Sequence, residues 1–405
     1  ELSIIDKDSE EIYQFLQLFE RLTVLNICNS DYSYSTYPRY QYYRIGPQHI
    51  QHLQYLKRLR FSGGEINSIT IKFLGNLKSL NELNIHDCTF LEGSEQGLKE
   101  LTGLKELRMT SNKYISFKNL DDSYLCHLTG LKVLDLDRIT SVKYLCSFRN
   151  LESLTLVLDL DELTMDISFV DSGTLNNLSS LYLYSPEYMN LEGISQFCPN
   201  LENLNLYSED ESDYNFCQAI NPLVGLLKLK SLQISIDDDS CTKVSQIGDI
   251  YKITSLTSLK LWFENPLSYE FCNSLNCLTR LEILSLLLIE QNSGNINNLD
   301  CLKYLPRTIH TLELNCVNDL ISEVLFSEVL YYLSEQTNIT CLDLENDLEF
   351  LENDASRERE FFMSLDRYIV TNKNLECITG YVDKVEMSRK REELLEKKVL
   401  PYIIR

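Results

Sequence analysis

One apolar block recurs along the chain and constrains everything else about it. In residues 101–114, LTGLKELRMTSNKY, the three apolar positions of an L-x-x-L-x-L pattern are Leu104, Leu107 and Met109, and Asn112 follows at an asparagine position. The block starts again at Leu22, Leu56, Leu80, Leu131, Leu151, Leu178, Leu201, Leu229, Leu256, Leu281, Ile309 and Ile339, and a degraded copy starts at Leu375. Successive starts lie mostly about 20 to 30 residues apart. The second and third apolar residues alternate along a short strand, so both point to the same side. One such unit cannot bury its apolar face alone and must stack on neighbours.

Extended to L-x-x-L-x-L-x-x-N/C, the pattern resembles the leucine-rich repeat family over nearly the whole chain. Cys88 takes the asparagine position after Leu80, Leu83 and Ile85. The resemblance implies an α/β leucine-rich repeat solenoid, a curved horseshoe. A parallel β-sheet would line the concave side, with helices or short 3-10 turns on the convex side. From Leu178 onward Pro186, Glu209 and Glu264 hold the asparagine position and repeat lengths wander. That irregularity is similar to the repeats of eukaryotic F-box-type adaptors, although Glu1–Phe19 contains no F-box module. The family binds many unrelated partners and rarely performs chemistry, so the resemblance implies binding rather than a specific activity.

A chain of 405 residues would ordinarily divide into two or three globular domains. With 14 glycines, 8 prolines and no linker breaking the phase, one elongated domain is expected. Residues 1–21 read as an N-terminal capping helix, with Ile12, Phe15, Leu16 and Phe19 at helical spacing. Residues 22–352 carry the repeats, with a tyrosine-rich insertion at 30–50 (Tyr32, Tyr34, Tyr37, Tyr40, Tyr42 and Tyr43) that leaves the stack as a loop. Residues 353–405 read as a degraded last repeat and a helical cap in which basic Arg389 and Lys397 alternate with acidic Glu392 and Glu396.

The net charge of −23 repels phosphate backbones and acidic membrane surfaces, arguing against direct nucleic-acid binding. No apolar run reaches the length needed to cross a bilayer. The 13 cysteines are dispersed, with no C-x-x-C pair and no flanking clusters, which points to a reducing compartment, cytoplasmic or nuclear. Cys88 reads as a buried turn residue rather than a reactive thiol. Two sequons, at Asn177 and Asn338, overlap the start of a repeat and read as chance matches.

Chemistry has no recognisable carrier. The five histidines form no metal-ligand spacing, and no phosphate loop, dinucleotide fingerprint or nucleophile elbow occurs. The acidic runs Glu209–Glu211 and Asp237–Asp239 lack EF-hand spacing and read as solvated loops. No catalytic residue, metal site, cofactor or small-molecule ligand is assigned.

Positions between and just after the strand leucines point away from the core and would line the concave sheet. Early in the chain they include Arg60 and Arg108, with Arg58 beside them; in the middle they gather Tyr182, Tyr184, Tyr207, Trp262 and Phe263. Large aromatics at solvent-facing positions are what a binding hot spot requires. The expected function is therefore a non-enzymatic protein-recognition module or adaptor, with the arginines steering acidic or phosphorylated residues of the partner. A ubiquitin-ligase substrate receptor is one specific form; a structural subunit of a larger assembly, such as a chromosome-associated or kinetochore complex, and a pathogen effector are the alternatives.

Overall fold

The computed structural model describes residues 1–5, 16, 18–28, 50–66, 68–90, 94–110, 125–139, 143–158, 173–185, 191–208, 221–236, 249–262, 269–288, 299–316, 329–334, 336–347, 367–368, 371–372, 374–375 and 377–381. The tyrosine-rich stretch Tyr32–Tyr43, the acidic runs at 209–211 and 237–239, Phe263 and the tail after Tyr381 lie outside these residues, as does most of the segment read as an N-terminal helix. Two compact units divide the chain, Glu1–Leu201 and Glu202–Arg405.

In the first unit the strands are β1 (Leu2–Ile5), β2 (Val24–Cys28), β3 (Arg58–Ile66), β4 (Glu82–Phe90), β5 (Glu106–Thr110), β6 (Val133–Ile139), β7 (Ser153–Leu158) and β8 (Ser180–Ser185). Each pairs in parallel with the next, in chain order. The register stacks the second apolar residue of every block into one column, Leu25, Leu59, Leu83, Leu107, Leu134, Leu154 and Leu181. The third forms a parallel column, Ile27, Phe61, Ile85, Met109, Leu136, Leu156 and Leu183. All of these are buried. Alternation is direct in β2 and β5, where every second residue is buried.

The second unit repeats the arrangement with β9 (Asn203–Ser208), β10 (Ser231–Ile236), β11 (Ser258–Trp262), β12 (Ile283–Leu288), β13 (Thr311–Cys316), β14 (Cys341–Asp347) and β15 (Cys377–Tyr381). Its column runs through Leu204, Leu232, Leu259, Leu284, Leu312, Leu342 and Ile378. In the degraded block at Leu375 the third apolar position is Gly380, set opposite Leu344. Parallel strands in sequential order, joined by crossovers and stacked on leucine columns, are the leucine-rich repeat solenoid architecture.

The back of each repeat follows from an apolar period of three. Leucine or another apolar residue stands three and six residues before the block start, as in Leu74–Leu77–Leu80, Leu98–Leu101–Leu104 and Leu275–Leu278–Leu281. A period of three matches the 3-10 helix, whose i and i+3 side chains eclipse. Accordingly the block-start N–H bonds the carbonyl three residues earlier, Leu80 to Leu77, Leu104 to Leu101, Leu229 to Leu226 and Leu281 to Leu278. The regular elements on this side are short: α-helices at Ser68–Leu74, Ile194–Phe197 and Tyr269–Ser274, and 3-10 turns such as Ser94–Glu100, Lys143–Ser147 and Leu299–Tyr304.

Two features depart from the sequence expectation. The stretch assigned to an N-terminal capping helix opens with a strand, because Leu2 and Ile4 continue the apolar columns by pairing with Leu25 and Ile27. Cys341 is disulfide-bonded, against the expectation of unpaired thiols throughout. No local cysteine motif signals it.

A ladder of side chains ties successive repeats at the position before the block start. Asn150 Nδ2 donates to the Thr129 carbonyl at 3.0 Å, Asn177 to Arg149 at 2.8 Å and Asn200 to Asn176 at 2.7 Å. In the second unit Ser255, Asn338 and Asn374 do the same towards Leu229, Ile309 and Thr337. Both sequon asparagines, Asn177 and Asn338, are thus engaged through the amide nitrogen that a glycan would occupy.

Candidate functional site

The sheet alternation turns one set of side chains away from the core, and these make the candidate site. In the first unit the outward row reads Asn26, Arg60, Asn84, Arg108, Asp135, Thr155 and Tyr182, each opposite the next. Arg58, Glu82 and Glu106 form a neighbouring outward row. Around them lies a hollow of about 280 Å³ bordered by Asn26, Arg58, Arg60, Glu82, Asn84 and Arg108, among others. The structure therefore brings the expected residues Arg60 and Arg108 to one place.

Their electrostatic positions differ. Arg108 Nη1 lies 2.5 Å from Asp135 Oδ2, and its Nη2 3.6 Å from Glu106. Asp135 is only 7% exposed although it stands in the outward row, because the Arg108 guanidinium bonds its carboxylate. Arg58 Nε is 3.5 Å from Glu82. Arg60 is exposed and, among the described residues, has no ion pair. Asn84 Oδ1 is buried without a hydrogen-bond partner, whereas Asn26 Nδ2 donates to Ser3 Oγ at 3.2 Å. Burial pushes the Glu82 carboxyl above its ordinary range, with Glu106 adding to the rise and Arg58 and Arg108 opposing it. The Arg60 guanidinium, in register between Asn26 and Asn84, offers a planar fork of the shape that matches a carboxylate.

The expected aromatic set falls in both units. Tyr182 and Tyr184 stand two residues apart on the same face of β8, half-buried, and burial raises the Tyr182 hydroxyl pKa. Val157 of β7 stands opposite Tyr184 and Thr155 opposite Tyr182. Tyr207 and Trp262 belong to the second unit, on β9 and β11, with Ser235 of β10 in register with each.

The indole of Trp262 is partly committed within the sheet. Its Nε1–H donates to Ser285 Oγ at 3.1 Å, and Ser285 is fully buried. Lys260 Nζ reaches past the same strand to Glu313 Oε2 at 2.8 Å. A small residue in the outward row of β12 thus lets its taller neighbours lean over it.

Sequence reasoning placed Asn26 and Asn84 in the outward row without making them site residues, and it missed the carboxylates Glu82 and Glu106. The signal was available, since both carboxylates occupy the same outward row as Arg58. It also missed an aromatic feature on the back of the second unit, where exposed Tyr269 and Tyr304 meet edge to face at 4.7 Å. Cys88 is buried as expected, but within strand β4, opposite Gly64, rather than in a turn: its Sγ–H donates to the His86 carbonyl and burial pushes its pKa to about 12.

No family model matches the chain, and no curated protein matches it. Among solved structures it is similar to an internalin (inlF) from Listeria monocytogenes, at 19% sequence identity and a TM-score of 0.38, over 83% of this chain and 84% of that one. The repeat architecture stands on the strand register and the leucine columns described above. Among the described residues no group of three His, Cys, Asp or Glu side chains could hold a metal ion, and no helix is long and apolar enough to cross a membrane.

Proposed function

We propose that this chain is a non-enzymatic protein-recognition module that holds a partner on its outward sheet face. The observation that carries this reading is the outward set of side chains: arginines in one hollow and tyrosines three strands further along the same parallel ladder. Aromatic and arginine side chains dominate binding hot spots because each removes a large area from water while keeping a polar end. A sheet whose core residues are locked in leucine columns presents them with little conformational freedom left to lose on binding. Arg60 would take a carboxylate or phosphate of the partner, and the tyrosines its apolar side chains.

The test is affinity capture from the native cell with quantitative mass spectrometry. Intact protein is compared with Arg60→Ala, with Tyr182→Ala/Tyr184→Ala and with Tyr207→Ala/Trp262→Ala, each shown to be folded by circular dichroism. Loss of a discrete partner set from any variant is the expected result. An unchanged partner set in all three overturns the reading. Ubiquitin-ligase subunits co-captured with the intact protein would narrow the function to a substrate receptor; a fixed stoichiometric complex would make it a structural subunit.

A further inference from the structure

The back of the second unit holds two thiols in contact. Cys272 sits on the short helix Tyr269–Ser274 and Cys301 on the 3-10 turn Leu299–Tyr304, one repeat further on. Their sulfurs are 3.3 Å apart, and both residues are completely buried. Both are free thiols in this structure. We infer that Cys272 and Cys301 form a latent disulfide site, a covalent staple between two successive repeats that closes under oxidising conditions.

The geometry favours closure. A disulfide needs its sulfurs at about 2.05 Å, so the pair must approach by roughly 1.2 Å, within reach of side-chain rotation. Both residues lie on short elements that pack against each other. The Cys272 thiol bonds Cys301 and is buried, which raises its pKa and keeps it protonated. Attack on an oxidant therefore requires local opening of the short helix, and short exposed elements open far more readily than the strands beneath them.

With oxidised glutathione as oxidant, one cysteine thiolate attacks a glutathione sulfur and expels glutathione thiolate, giving a mixed disulfide. The second cysteine thiolate then displaces the other glutathione. Two thiol protons pass to the two glutathione thiolates, so the chain loses two hydrogens and the disulfide is reduced to two glutathione molecules.

The experiment incubates the folded, full chain with oxidised glutathione below its melting temperature, followed by alkylation and non-reducing peptide mapping. The expected product is a cross-linked peptide joining Cys272 to Cys301, with a melting temperature several degrees higher. Cys272→Ala should abolish both, while leaving Cys341 disulfide-bonded. The exposed thiols Cys146 and Cys277 report whether the oxidant acted. If they carry glutathione while Cys272 and Cys301 are recovered as free thiols, the inference is wrong. A cross-link from either residue to Cys277 overturns it equally. A variant that fails to fold is replaced by Cys301→Ser, which removes the other half of the same pair.

Discussion

Removing the Arg108 guanidinium should destabilise the first unit, because it takes the counter-ion away from the Asp135 carboxylate. Asp135 has one oxygen on Arg108 at 2.5 Å and the other buried with no partner. Two unit charges about 4 Å apart attract by roughly 4 kcal/mol at the effective dielectric of a protein surface. The Arg108 side chain is 42% exposed, so water screens part of that, and about 2 kcal/mol is the expected coupling. Arg108→Ala should therefore cost about 2–3 kcal/mol. Asp135→Asn removes the charge and should cost about 1 kcal/mol. The double variant should be clearly more stable than the sum of the two losses predicts. Urea unfolding followed by far-ultraviolet circular dichroism measures all four proteins. Additive losses, within about 0.5 kcal/mol, would refute the argument that the pair is coupled. The same reasoning makes Arg60, which has no such partner among the described residues, the cleaner substitution for a binding assay.

Three further outcomes are expected. Burial and Glu106 raise the folded-state pKa of Glu82, so its contribution to stability is greatest below the ordinary carboxylate range and is lost as pH rises through the raised value. Glu82→Gln should therefore raise the urea midpoint at neutral pH and lose that advantage near about pH 4; an equal gain at both would contradict the burial argument. Maleimide should label Cys146 and Cys277 rapidly in the folded protein, whereas Cys88 and Cys198, whose pKa burial lifts to about 12, should label only after unfolding; early labelling of either, read by mass spectrometry, would place it nearer the surface than described here. Asn338→Ala removes the donor to the Ile309 carbonyl and should lower stability by about 1 kcal/mol in a thermal melt, with no loss showing that water replaces the amide.

The repeat, its strands and its outward rows were legible in the sequence because each is a local periodicity. Leu80, Leu83 and Ile85 mark a strand and its buried side without knowledge of any neighbour. Arg60 and Arg108 were legible as outward for the same reason. What the sequence could not determine was set by register between repeats. The strand at Leu2–Ile5 counts as a repeat only because β2 lies beside it, and its two apolar residues are too few to signal a block alone. The asparagines before the block starts gain their role from carbonyls one repeat away. Asp135 and Ser285 share the outward parity of their neighbours, yet both are buried, since Arg108 bonds over one and Trp262 over the other. Cys272 and Cys301 are 29 residues apart and resemble dispersed thiols until the stack sets their sulfurs in contact. Periodicity fixes which way a side chain points. Only stacking fixes what it meets.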